Sequence, residues 1–154
     1  MTAQTVQFIA IETSGLDPCK DVILELGIAT LSTEGLDAEA YLIRPPAEFD
    51  LSDQIVEIHT KSGLIHDLLR GESARLEDIS VPPAHLRICW AGSFAKGFLE
   101  LTPLRHLVAA VDFTTLRTLA PALGGFDVPT PPRSRVADKL QIMLSTWRAL
   151  ETRR

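Results

Sequence analysis

Apolar and polar positions alternate along this chain with two different periods, and the change of period divides it. From Thr5 to Ile11 the residues alternate and are rich in β-branched side chains, Val22 to Leu31 is a longer apolar run, and Ala38 to Ile43 follows Glu34-Gly35. Runs of this length bounded by turn residues predict three consecutive strands, a meander. Pro45-Pro46 ends it. Helical spacing then covers Leu51 to His59, opened by Ser52-Asp53, and Leu64 to Leu69. Further on the two periods take turns. Arg87 to Ala91 reads as a short buried strand, Phe94 to Leu101 as a helix, Leu107 to Phe113 as a strand and Thr114 to Leu123 as a helix. A Gly- and Pro-rich loop from Gly124 to Pro132 leads into a terminal amphipathic helix, Val136 to Leu150, with Leu140, Met143, Leu144, Trp147 and Leu150 on its apolar stripe. There are no internal repeats. A meander followed by alternating strands and helices predicts an α/β architecture, a mixed sheet with antiparallel and parallel strands flanked by helices.

Composition changes this picture only by bounding it. With 154 residues and 45% hydrophobic content, residues 1–154 are expected to form one domain whose core needs neither disulfides nor metal staples. Cys19 in a turn and Cys89 in an apolar run read as reduced, non-catalytic thiols in a cytoplasmic setting. No apolar run reaches the length of a membrane span, and the N-terminus lacks the basic-then-apolar pattern of a signal peptide. The expectation is a soluble cytoplasmic protein without a membrane partner. The net charge of −5 hides an asymmetry: residues 1–86 carry 5 Lys/Arg against 15 Asp/Glu, and residues 87–154 carry 10 against 5. Lys96, Arg105, Arg133, Arg135 and Lys139 in the basic half are either a phosphate-attracting cluster or a solvated surface paired with the acidic half.

The chemistry centres on Phe8-Ile9-Ala10-Ile11-Glu12-Thr13-Ser14-Gly15-Leu16-Asp17-Pro18. Residues i and i+2 of a strand share a face, so an acid at position 10 would stand beside Glu12 as a two-metal site requires. Position 10 is alanine. This phrase and His59-Thr60-Lys61-Ser62-Gly63-Leu64, in this order around a strand meander, resemble the DEDD-type 3′-to-5′ exonucleases of ribonuclease-H-like fold, and oligoribonuclease most of all. The resemblance covers nearly the whole chain and weakens between Leu69 and Arg87, where the family's additional helix gives way to Val81-Pro82-Pro83.

The resemblance implies four carboxylates holding two Mg²⁺ or Mn²⁺ ions and a histidine general base. Position by position, the first acid falls on Ala10 and the second on Glu12. The third falls on Ala95 within Ser93-Phe94-Ala95-Lys96-Gly97-Phe98-Leu99. The base falls on Ser134 and the fourth acid on Lys139. Shifting the last segment by one residue offers Asp138 as a ligand, but that side chain is rotated by about 100° on the helix and the shift puts Arg133 in the base's place. Neither serine nor arginine titrates near neutrality. Glu12 is the one retained acid, and no metal cofactor is expected. A lysine at position 139 is also placed to neutralise Glu12 in the metals' stead.

Several residues keep two readings. Leu16 and His59 match positions that wedge between and stack on nucleobases in oligoribonuclease-like enzymes, and equally suit an exposed turn leucine and a helix-terminal histidine. Glu25 either flanks the site or simply faces solvent or pairs with a basic neighbour, Asp112 caps the helix near Thr115, and Trp90 and Trp147 belong to the core. The first function class is a pseudo-exonuclease that binds a nucleic-acid end or short oligonucleotide without cleaving it, through Leu16, His59, Lys96, Arg133 and Arg135. The second is a protein-interaction adaptor or inhibitor, with a homodimer as one form. The third is an active metal-dependent exonuclease whose acids were replaced by engineering.

Overall fold

The computed structural model describes residues 4–49, 56, 59, 60, 62–113 and 135–152. Its frame is a five-stranded mixed sheet in the order β3-β2-β1-β4-β5. Strands β1 (Val6–Thr13), β2 (Ile23–Ser32) and β3 (Gly35–Leu42) form the expected antiparallel meander. Strands β4 (Leu86–Cys89) and β5 (Val111–Asp112) continue the sheet in parallel on the far side of β1. Helices α1 (Leu64–Arg70), α2 (Gly92–Leu99) and α3 (Val136–Glu151) flank it. Among the described residues, no helix is long and apolar enough to cross a membrane.

Strand β1 is central, which is why its sequence is apolar on both faces rather than on one. Ile9 and Ile11, with Leu26 and Ile28 of β2, face Ala95, Phe98 and Leu99 of α2. The alternate residues Phe8, Ala10 and Ala29 face Val136, Leu140, Met143 and Leu144 of α3. Edge strand β3 is exposed along most of its length. Fully buried Gln7 interrupts the apolar pattern, and its amide is satisfied by Thr30 Oγ1, the Pro82 carbonyl and Arg87 Nε.

The expected strand from Leu107 to Phe113 is instead a 3₁₀ turn, Arg105–Ala109, followed by the two residues of β5. The turn is held by Thr102 Oγ1, which accepts the Leu104 N–H at 3.1 Å, and by the Leu107 N–H on the Leu104 carbonyl at 3.0 Å. Leu107 is buried against Phe98 and Leu99. An apolar run of that length fits either conformation, and the tight turn is the one that buries Leu107 in the cluster with α2. Strand β4 stops at Cys89 because Ala91 takes a left-handed conformation, φ 48°, from which α2 starts two residues earlier than its spacing implied. Most of the Leu51–His59 helix, all of the Thr114–Leu123 helix and the loop from Gly124 to Pro132 lie outside the described residues.

Candidate functional site

The register of the first hairpin places Glu12 of β1 directly opposite Glu25 of β2. Like charges in that position destabilise a sheet unless each is neutralised. Both are neutralised by α3. Lys139 Nζ meets Glu12 Oε1, and Arg135 donates to both oxygens of Glu25, its Nε lying 3.1 Å from Oε2. Residues 135 and 139 are four apart, one turn along the same helix face, which matches two carboxylates side by side on the sheet. The Glu25 side chain is only 3% exposed, and Oε1 also accepts the Val136 N–H at 3.1 Å at the start of α3. Arg135 Nη1 reaches a third acid, Asp67 of α1. Its hydrogen bonds to Glu25 push the guanidinium pKa above the usual arginine range against the opposing effect of burial, and Arg135 and then His66 hold the Asp67 carboxyl below the usual range.

Lys139 Nζ also lies 6.0 Å from the centroid of the Trp90 ring, which stacks on Phe113 at 5.2 Å. Trp90 is half-buried and walls one side of the clamp that Arg135 and Lys139 close on Glu25 and Glu12.

The positions expected to hold the other acids are packed with hydrocarbon. Ala10 is fully buried beneath α3, and its partner across the hairpin is Gly27, where a Cβ would stand 2.9 Å from Val136 Cβ and Leu140 Cδ1. These two small residues let α3 settle on the sheet. Ala95 is 1% exposed and packs in the cluster on the opposite sheet face. The Asp138 carboxylate accepts the Arg135 N–H at 3.1 Å, so it caps α3 and is turned away from Glu12. Ser134 and Arg133 lie outside the described residues. Among the described residues, no group of three His, Cys, Asp or Glu side chains is arranged to hold a metal ion. One carboxylate already bound to an ammonium does not suit the all-oxygen donor set of a two-cation centre.

The remaining expected residues are spread around this centre. Leu16 is 84% exposed, on a turn knitted by Asp21, which accepts from Ser14 Oγ and the Asp17 N–H at 3.0 Å each. His59 is buried, and its Nε2 donates to the Thr13 carbonyl at 2.8 Å, at the strand end from which that turn rises. Lys96 is exposed and 3.7 Å from Glu100. Arg105 is exposed at the start of its 3₁₀ turn. Asp112 accepts the Ser93 N–H at 3.4 Å in the first turn of α2, whereas the helix expected near Thr115 lies outside the described residues. Trp147 packs edge-on against Phe8 at 6.3 Å, as a core residue. Sequence reasoning did not find Asp67 as a third acid. The sequence left Glu25 open to a basic neighbour without saying which, and that neighbour is Arg135.

No family model and no curated protein matches the sequence. Solved structures do. Exonuclease I of E. coli in complex with a dA16 oligonucleotide is 14% identical at a TM-score of 0.54, the likeness covering 83% of this chain and 32% of that one. Exonuclease I of Methylocaldum szegediense is 13% identical at 0.55, covering 82% and 32%. The nuclease domain of 3′hExo, a DEDDh family member bound to rAMP, is 15% identical at 0.56, covering 97% and 93%. The chain thus spans about a third of the exonuclease I chains and nearly the whole of the 3′hExo domain. What they share with this chain is a fold, a ribonuclease-H-like mixed α/β fold.

Proposed function

We propose that this chain is a pseudo-exonuclease, a nuclease fold without the nuclease chemistry, which holds a short single-stranded nucleic-acid end and releases it uncut. The observation that carries the reading is the Lys139 ammonium on Glu12. Where cleavage would need two cations to bind phosphate and generate hydroxide, a tethered cation neutralises the one remaining acid and supplies neither function. Alanine at positions 10 and 95, buried in hydrocarbon, adds no acid, so on this reading the protein works without a metal cofactor.

Binding is supported by exonuclease I structures of this fold crystallised with dA16 and dT13 oligonucleotides. In this chain the available contacts are the exposed Leu16, which can wedge against a base, and the exposed Lys96, with Arg133 as a further cation. His59 acts by fixing the strand end beneath Leu16 rather than by stacking. Arg135 serves the clamp, so its charge and that of Lys139 are spent internally. Affinity therefore rests on the apolar contact of Leu16 with a base more than on counterion release, and log Kd should vary with log salt with a slope of about 1 to 2. Fluorescence anisotropy of labelled di- and pentanucleotides, in Mg²⁺ and in EDTA, tests this. Equal binding in both, weakened by Leu16→Ala, is expected. Binding that requires Mg²⁺, or no binding at millimolar protein, overturns it.

The second reading, a protein-interaction adaptor, is favoured by a different observation: among the described residues, β3 leaves an exposed, unpaired edge on the sheet.

A further inference from the structure

Among the described residues, strand β3 pairs with β2 on one side only. Its last residues are covered, since the Ala74 N–H donates to the Leu42 carbonyl at 2.7 Å and the Arg44 N–H to the Ala74 carbonyl at 2.9 Å. From Gly35 to Tyr41 no described residue pairs with the outer edge. Such an edge is a template for another strand. Its two faces differ. Leu36, Ala38 and Ala40 lie on the α3 side, where a cleft of about 270 Å³ opens between β3 and Ala137, Leu140 and Leu144. Asp37, Glu39 and Tyr41 lie on the other, and neither acid has an ion-pair partner among the described residues. Their negative field, added to the larger effect of burial, raises the pKa of the Tyr41 hydroxyl.

We propose that the open edge from Gly35 to Tyr41 docks an extended segment of another protein, in which Lys or Arg alternates with apolar residues, by adding it as a sixth strand. The charges decide the occupant. In a two-fold antiparallel pair of β3 with a second copy centred on Ala38, Asp37 of each would face Glu39 of the other, four carboxylates in two like-charge pairs. A basic segment turns both positions into opposite-charge pairs, and its apolar side chains fall on the side of the cleft beside Ala38 and Ala40. This interaction is independent of the nucleic-acid reading, because it uses none of Leu16, Lys96 or Glu12.

The test uses a fluorescein-labelled eight-residue peptide of alternating lysine and valine against the full chain. Saturable binding is expected, with hydrogen-exchange protection appearing at Gly35 to Tyr41. A peptide of the same composition in lysine and valine blocks should bind less. The double variant D37K/E39K, both positions being exposed, should lose about tenfold or more in affinity for the lysine peptide and gain affinity for its glutamate analogue. Equal binding to the charge-reversed chain, protection elsewhere, or self-association of the chain through β3 would overturn the proposal. If the double variant does not fold, the exchange pattern on the unaltered chain decides alone.

Discussion

Replacing Lys139 by alanine removes the cation from Glu12 while leaving the carboxylate opposite Glu25. The Glu12 and Lys139 side chains are 15% and 16% exposed, between the solvated pairs that contribute about 0.2 to 1 kcal/mol and the buried pairs whose disruption costs about 3 to 5 kcal/mol. An intermediate value of about 2 kcal/mol is expected, with about 0.5 kcal/mol more from the lost contact over Trp90. For a domain of this size that lowers Tm by about 5 to 8 °C. Glu12→Gln alone should cost less, about 1 kcal/mol, because the freed ammonium can bend toward water whereas the freed carboxylate cannot. The decisive quantity is the coupling in the double variant. With Lys139→Ala in place, Glu12→Gln removes a covered charge that no longer has a partner, so the double variant should be more stable than Lys139→Ala by about 1 kcal/mol. Urea or thermal denaturation of the four proteins measures it. Strict additivity within about 0.5 kcal/mol would show that the pair contributes nothing and that Glu12 is a relic without a structural role.

Ala10→Asp should not create activity and should lower stability by about 3 kcal/mol or more, measured by urea denaturation, since it places a charge under Val136 where exposure is 0%. The Asp67 carboxyl is held low by Arg135, so the stabilisation it gives is fully present above the ordinary carboxylate range and is lost as pH falls through its folded-state value; Asp67→Asn should flatten the loss of Tm below about pH 4. Burial, and secondarily Asp112, pushes the Cys89 thiol up to about 12, whereas Cys19 is exposed; a disulfide reagent at pH 8 should therefore titrate one thiol in the native protein and two after unfolding.

The meander, β4 and the terminal helix were legible because their periods differ and turn residues separate them. The pairing of Lys139 with Glu12 was legible too, since strand and helix positions in the resembled family fix which residues converge there. Arg135 was not. Its charge reads in sequence as one of five loose cations, and only the Glu12 to Glu25 register and the approach of α1 show that three acids share it with its neighbour one turn on. His59 was ambiguous for a related reason: the same ring can stack on a base or cap a strand end, and burial beside Thr13 is a tertiary fact. The 3₁₀ turn at Arg105–Ala109 was hidden because periodicity does not separate a short apolar strand from a tight turn.

The central claim is that this fold no longer cleaves. Incubation of the purified chain with end-labelled single-stranded RNA, single-stranded DNA and dinucleotides, in Mg²⁺ and in Mn²⁺ and beside a Glu12→Ala control, measures it directly. No product above the control is expected with any substrate or metal. Product that the unaltered chain forms and Glu12→Ala abolishes would contradict this, because it would place catalysis on the one acid that Lys139 neutralises.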